Sequence, residues 1–395
     1  MATTVEIGNL RGFTLDDPVR GVLGNQTWTL GGLEFVDVTH KVSSVSISRG
    51  KNRDLDRFSA GSLDVTFHNE DRFFDPVSGT AVDVVPRAPV RVSMDGTAQF
   101  YGSVNDWGFS YSTGGKSDAN LQAVDDFQFL GRQNVLSAGT PTVEFTGERV
   151  ERVLDMFTVN WPEDRRQIDQ GQNTVCPQPF EGQNALEYLQ LVETSEQGQF
   201  FIGKQGDLVF RSRDSAAARS ADLVTFADDG SGVPYVGASV NYGTEQLLNR
   251  AVVSAPSGTA VAFNELSEQT YGVVQEDIEV LCSSSQQLQD IADYVVQRYA
   301  EPELRFETLT VNVDVLDAGQ RASVLGLDIA DVTLIKFTPN GVGNPIEKFG
   351  QIIRVAHSQS PGRHDVTFGF DSLEFAPLVL DDVVFGKLNS GRLGF

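Results

Sequence analysis

Arg49–Pro76, RGKNRDLDRFSAGSLDVTFHNEDRFFDP, packs charges of both signs around one short run, Leu63, Val65 and Phe67, that alternates strictly with polar residues. Period-two alternation marks a β-strand with one buried face. Before the strand, Arg49, Lys51, Arg53 and Arg57 alternate with Asp54 and Asp56; after it come Asp71, Arg72 and Asp75. Interleaved signs favour paired groups over a one-sign field. Two arrangements satisfy that pattern. In one, Arg–carboxylate bonds stitch the loops within the chain. In the other, rigid loops present their Arg forks to carboxylates of a neighbouring subunit, where planar bidentate geometry fixes register.

Working outward, the same alternation recurs at Val45 and Ile47, at Val90, Val92 and Met94, and around Phe100, Gly102 and Val104, with Gly, Pro, Asn and Asp between the runs. Short strands at such spacing predict a compact antiparallel barrel or sandwich over residues 1–145. The pattern then changes. Val150, Val153, Leu154 and Phe157 form one helical stripe within Gly147–Phe157, and a second helix is expected after Asn184 as N-cap, with Ala185, Leu189 and Val192 inward. Two apolar runs around Lys204-Gln205-Gly206-Asp207 predict a β-hairpin, so residues 146–232 read as a small α+β insertion domain. Residues 233–395 return to strands: Leu309, Val311, Val313 and Val315, then Val332–Phe337, Gln351–Val355 and Val366–Phe370. One helix, about residues 284–300, is marked by Leu288, Ile291, Ala292, Val295 and Tyr299, with Ser283–Ser285 as caps and Pro302 as a stop. The predicted fold class is mainly β: two β-barrel-like domains and a small α+β insertion.

Two echoes link the ends of the chain. LDDPVRGVL, Leu15–Leu23, matches LDDVVFGKL, Leu380–Leu388, at six of nine positions, and GSLDVTF, Gly61–Phe67, resembles GRHDVTF, Gly362–Phe368. Together they suggest that the two β domains share ancestry, or that both chain ends make the same kind of contact.

The net charge of −24 is spread as −6, −7 and −11 over the three segments. An acidic balance throughout excludes an electrostatic grip on a phosphate backbone, which needs clustered Lys and Arg to release counterions. No apolar run reaches the ~18 residues that would span a bilayer, and no apolar leader follows Met1, so synthesis in a cytoplasm and no membrane segment are expected. Cys176 and Cys282 lie outside any CxxC cluster, and His40, His68, His357 and His364 lack metal-ligand spacing. No nucleophile elbow, HExxH, P-loop, EF-hand or dinucleotide fingerprint occurs. The adjacent carboxylates Asp125-Asp126, Asp228-Asp229 and Asp381-Asp382 are read as solvated turns, because neighbours on a strand point to opposite faces. No catalytic, metal or cofactor site is expected.

RGKNRDLDRFSAGSLDVTFHNEDRFFDP, continued by VPRAPVRVSMDG, FYGSVNDW and AVDDFQFLGR, resembles the N-terminal region of minor tail proteins of long-tailed, siphovirus-type bacteriophages, especially those infecting actinobacteria. The likeness continues through VERVLDMF, WPEDRRQIDQG, ALEYLQLVETSEQGQFFIGKQGDLVFRSR, YGTEQLLNRAVVS and FGKLNSGRLGF, nearly the whole chain. The resemblance implies a virion protein of the tail tip, a baseplate hub. Two related barrels per chain, three chains at a time, would make a pseudo-six-fold ring that caps the tail tube and lets DNA pass. Implied partners are two further copies and other tail proteins: the distal tail ring, the tape measure and tip fibres. Under the subunit-joint reading the candidate interface residues are Arg49, Arg53, Asp54, Asp56, Arg57, Asp71, Arg72 and Asp75, with Asp16, Asp17, Asp381 and Asp382 of the echoed segments. An acidic lumen would keep DNA from sticking. Two rival functions are a cell-wall saccharide binder using Trp28, Trp107 or Trp161 as sugar platforms, and a cell-wall hydrolase using carboxylates from distant segments.

Overall fold

A computed structural model describes residues 2–10, 18, 21–22, 33–52, 56–77, 82–136, 139–178, 182–213, 215 and 223–372. Alternating runs of the first segment form seven strands: β1 (Thr3–Leu10), β2 (Leu33–Asp37), β3 (Val42–Gly50), β4 (Ser59–His68), β5 (Pro89–Met94), β6 (Thr97–Tyr111) and β7 (Ser117–Val124). They follow one another antiparallel in the order β3-β4-β7-β6-β5-β1-β2. Val38 N–H donates to the Val5 carbonyl at 2.9 Å and Val5 N–H to Thr39 Oγ1 at 3.0 Å, which carries the β1–β2 ladder into the turn before β3 and brings β1 beside the start of β3 in a barrel-like domain. The domain wraps Leu63, Val65, Phe67, Val90, Val92 and Leu121 inside.

An α+β module follows, with α1 (Phe127–Leu130), β8 (Glu144–Phe145), α2 (Thr146–Leu154), β9 (Arg166–Ile168), β10 (Thr174–Val175), α3 (Ala185–Glu196), β11 (Gln199–Ile202) and β12 (Leu208–Arg211). Asn184 caps α3, its Oδ1 accepting from Leu186 and Glu187 N–H at 3.0 and 3.2 Å, and β11 and β12 form the expected hairpin. Helix α2 is shorter than its apolar stripe predicts. The chain turns after Leu154, whose carbonyl accepts Trp161 N–H at 3.0 Å, and Phe157 is left 97% exposed.

The second barrel contains β13 (Val224–Ala227) and β14 (Gly237–Tyr242) and resumes after a second inserted module. That module has β15 (Arg250–Ala255), β16 (Gly258–Phe263), α4 (Glu265–Tyr271), β17 (Gln275–Glu279) and α5 (Ser285–Tyr299). The expected helix is therefore not laid on the barrel. It packs on its own three-stranded sheet around a separate core of Ala251, Val253, Val280, Leu288, Ile291 and Val295. After it come β18 (Leu304–Asn312), α6 (Ala318–Gly326), β19 (Val332–Phe337), β20 (Ile346–Ser360) and β21 (Arg363–Ser372). The run expected to extend through Val315 stops at Asn312, whose side chain accepts Asp314 N–H at 3.0 Å and starts a 3₁₀ turn over Val313–Val315. Val233 closes this barrel against β13, donating to the Thr225 carbonyl at 2.8 Å and accepting from Ala227 N–H at 3.1 Å.

One antiparallel ladder, Val45–Gly50 of β3 against Arg354–Gln359 of β20, fuses both barrels into a single sheet. The echoed GSLDVTF and GRHDVTF segments lie on β4 and β21, the strands immediately outside this ladder. Val65 pairs with Val45, and its counterpart Val366 pairs with His357. Val45 in turn faces Gln359 and Ile47 faces His357, a local two-fold relation centred on Ser46 opposite Ser358. The LDD echo, with Asp16, Asp17, Asp381 and Asp382, lies outside the described residues.

At the end of the ladder, Gly50 has φ +110°, and a Cβ there would sit 2.1 Å from the Ile353 carbonyl oxygen. Left-handed backbone in contact with a neighbouring strand requires glycine. Gly50→Ala is expected to destabilise the chain by at least ~2 kcal/mol in chemical denaturation; an unchanged midpoint would show that the joint yields freely.

Candidate functional site

Arg49 follows Val45 and Ile47 on the core-facing parity of β3, so a guanidinium enters the interior and must be paired there. It is 3% exposed, and donates to Asp328 Oδ1 at 2.6 Å and to the Ile202 carbonyl at 3.3 Å. Asp328 also accepts Lys204 N–H at 3.0 Å. The Lys204 ammonium reaches the carbonyls of Leu325 at 3.1 Å, Leu327 at 3.3 Å and Gly326, neutralising the C-terminal end of α6. These groups come from the first barrel, the β11–β12 hairpin and the second barrel. The joint ties three parts of one chain together.

Burial would raise the Asp328 carboxyl, but the Arg49 charge, together with the Lys204 N–H and ammonium, holds it below the usual carboxylate range. Two neighbouring acids behave otherwise. Asp125 accepts Gly61 N–H at 2.7 Å and Phe127 N–H at 3.0 Å, yet burial outweighs these bonds and the Arg49 charge and pushes it up to about 7. Glu193 accepts Phe200 N–H at 3.0 Å and is likewise pushed up to about 7 by burial, against the Lys51 charge. His357 and His364, seven residues apart in sequence, meet across β20 and β21 with ring nitrogens 3.1 Å apart. Burial lowers both, His364 to about 4. The spacing hid this pair because strand register, not sequence distance, brings it together.

The opening stretch thus divides. Arg49 and Asp75 were candidates for a subunit interface, and both are corrected. Arg49 is spent on the internal joint; Asp75 is buried, pairs with Arg72 and accepts Val77 N–H at 2.9 Å. Asp56, Arg57, Asp71 and Arg72 are exposed, Asp71 within 2.5 Å of Lys41. Arg53 and Asp54 lie outside the described residues. Asp125 is also corrected: it is a buried backbone acceptor rather than a solvated turn, while Asp126 pairs with Arg165 at 2.9 Å. Asp229 accepts Ser231 N–H within its own turn, while Asp228 accepts Thr338 N–H from a distant segment at 2.7 Å. Trp161 is buried with its indole N–H on the Arg165 carbonyl at 3.0 Å, Trp107 is half-buried in a stack with Phe67 and Phe109, and Trp28 lies outside the described residues. Among the described residues no group of three or more His, Cys, Asp or Glu is placed to hold a metal ion.

The opposite face of the joined sheet was not anticipated. Cross-strand register aligns Asp106, Gln122, Asp64, Ser46, Ser358, Asp365 and Asn312 in one row over seven strands, all exposed or half-exposed. A parallel row holds Ser62, Ser48, Ala356, Thr367, Thr310 and Gly237. This face is built of small polar residues, and its signal is present in the sequence as the out-facing half of each alternation. The sheet also keeps two free edges. Beyond Val104, β6 has only β7 as a strand partner among the described residues, and β14 has only β18.

In fold, this mainly β chain is similar to solved phage tail proteins. The 43 kDa tail protein of prophage MuSo2 from Shewanella oneidensis superposes with a TM-score of 0.59 at 13% identity, covering 93% of this chain and 96% of that one. The tail protein from Neisseria meningitidis MC58 gives 0.59 at 13% identity over 94% and 96%. Prophage tail protein gp18 from Listeria monocytogenes EGD-e gives 0.50 at 12% identity over 93% and 94%. At such identities the likeness is one of fold. No family model matches the chain, and no curated protein sequence matches it.

Asp125 and Glu193 keep their protons up to about 7 in the native chain, whereas ordinary values are 3.8 and 4.5. The native state then binds more protons in that window, so the stability these acids contribute falls as pH rises from about 4 to about 7 and levels off above. Relative to an Asp125→Asn, Glu193→Gln variant, the wild-type denaturation midpoint is expected to drop across that range. Parallel curves would show that both acids are ionised in the native chain.

Proposed function

We propose that the chain is a structural protein of a bacteriophage tail, placed at the tail tip as a baseplate hub of a long-tailed phage, and that three copies close into a ring through which DNA passes. The observation that carries this reading is the eight-stranded antiparallel run β6-β7-β4-β3-β20-β21-β18-β14 with a free edge at each end. Because the number of strands is even, β14 of one copy meets β6 of a like-oriented copy antiparallel, the pairing that satisfies exposed backbone donors and acceptors. The inner faces also match: Trp107 and Phe109 on one edge, Ala238 and Val240 on the other, already pack against the core. Three chains would place six barrels around the ring. The polar rows would then line the channel with hydroxyls, amides and the carboxylates of Asp64, Asp106 and Asp365.

Such a wall gives DNA little counterion-release gain, since Arg354, the cation beside these rows on β20, is bonded to Asn52 at 2.9 Å and Ser48 at 3.4 Å and is outnumbered by three aspartates. Arg363, on β21 with Asp365, is paired with that aspartate at 2.6 Å. Exposed Asp56, Arg57, Asp71 and Arg72 remain candidates for subunit contacts, and the modules outside the ring would hold other tail proteins. The fold likeness to tail proteins from Shewanella oneidensis, Neisseria meningitidis and Listeria monocytogenes supports the tail reading over a saccharide binder, for which neither described tryptophan offers an open platform.

Purified protein viewed by negative-stain electron microscopy, with mass by light scattering, is expected to show threefold rings with a central hole. Ser112 N–H bonds the Lys116 carbonyl across the hairpin at 2.9 Å, so by alternation Tyr111 N–H points off the free edge. Tyr111→Pro should therefore fold normally and fail to close rings; rings of normal mass would refute edge pairing. Ser46→Lys with Ser358→Lys should make assembled rings retain duplex DNA at about 50 mM salt and release it at higher salt. If the unsubstituted ring retains DNA equally, the polar face does not line a DNA channel.

A further inference from the structure

We propose that the module of residues 249–300 is a docking platform that takes an extended, basic segment of another protein as a fourth strand along β16. β16 is an edge of the order β16-β15-β17, with β15 as its strand partner. Among the described residues its outer side holds a single side-chain bond, from the Gln289 amide to the Val261 carbonyl at 3.5 Å, which an incoming strand would replace. Its inward residues, Ala260 and Ala262, pack beneath α5, while Val261 and Phe263 face outward, 48% and 56% exposed. Register places Val252 beside Val261 and Arg250 beside Phe263, and the chain beyond Phe263 adds exposed Leu266, Tyr271 and Val273 at the same end of the sheet. Soluble sheets usually blunt such an edge with lysine, proline or a bulge. None of these stands on Gly258–Phe263.

Charge selects the occupant. Residues 249–300 hold seven carboxylates and two arginines, with no lysine or histidine. Both arginines are engaged within the chain, Arg250 with Glu268 at 2.8 Å and Arg298 with Asp371. Exposed Glu265 follows the strand and exposed Asp293 stands near its edge, bonded at 3.0 Å to the Gln289 amide that also reaches the Val261 carbonyl. Exposed Glu276, Asp277 and Glu279 lie on β17 at the opposite edge of the sheet. A second copy would add like charge to an already acidic module, whereas a strand alternating apolar and Lys or Arg side chains meets both the apolar face and the carboxylates of Glu265 and Asp293 near the strand. That the natural occupant is a tail component rests on the tail reading; the docking chemistry does not.

The test uses the full chain and three fluorescent octapeptides: alternating Lys-Val, alternating Glu-Val, and the Lys-Val peptide with alternate amides N-methylated so that one edge cannot donate. The Lys-Val peptide is expected to bind, the Glu-Val peptide not to bind, and N-methylation or Val261→Lys with Phe263→Lys to weaken binding at least about tenfold. Equal binding to the double variant, equal binding of the N-methylated peptide, or no binding of the Lys-Val peptide overturns the proposal. Both substituted positions are exposed, and a wild-type melting midpoint confirms the variant's fold. Ring formation, followed by microscopy on the same samples, reports separately on the tail reading.

Discussion

The short ladder between β3 and β20 is the constraint on which the rest of the molecule depends. Among the described residues it is the one direct strand pairing between the barrels, and it sets the register of every row across the joined sheet. A slip of one residue would turn the serines of β3 inward and Val45 and Ile47 outward. Three features hold the register: the apolar inner face, the glycine at the end of β3 that admits the Ile353 carbonyl, and the guanidinium beside it that must find Asp328.

A buried ion pair is weak evidence for stability, since the cost of desolvating both charges rivals their attraction. Its value here is positional. Arg49 has one well-placed carboxylate, that carboxylate sits just past α6, and Lys204 holds both the carboxylate and the helix end. Misplacing either barrel or the hairpin leaves a charge in the interior without a partner, at a cost of several kcal/mol. The fully buried Asp125 and Glu193 avoid that penalty differently, by staying protonated below about 7.

The strands were legible because alternation is a local signal, and so were the capped helices, because Asn184 and Ser284 make their bonds within three residues. Barrel formation was not legible, as it depends on Val38 and Val233 meeting distant strands. The module of residues 249–300 was missed for a related reason: its helix has ordinary amphipathic spacing, which does not say whether the apolar stripe rests on the barrel or on a sheet of its own. The charged stretch offered two arrangements, and parity decides part of it. Arg49 shares the parity of Val45 and Ile47 and goes inward, whereas the exposed Asp56 and Arg57 precede the strand and retain a free surface. Asp125 misled because adjacency to Asp126 suggests a turn, while its burial follows from its place at the end of β7.

The distribution of charge modifies the expectation of an acidic lumen. The long polar row carries three aspartates among seven residues, one of them paired with Arg363, and the neighbouring row carries none. Hydroxyls and amides dominate the face that would meet DNA. A wall of that kind resists adhesion chiefly by having few cations, Arg354 tied to Ser48 and Asn52 and Arg363 to Asp365, rather than by repulsion. Residues 249–300, by contrast, leave most of their carboxylates exposed, spread over α4 after β16, β17 and the helix α5. Net negative charge on the module that carries the apolar edge is the property that would steer and select a basic partner.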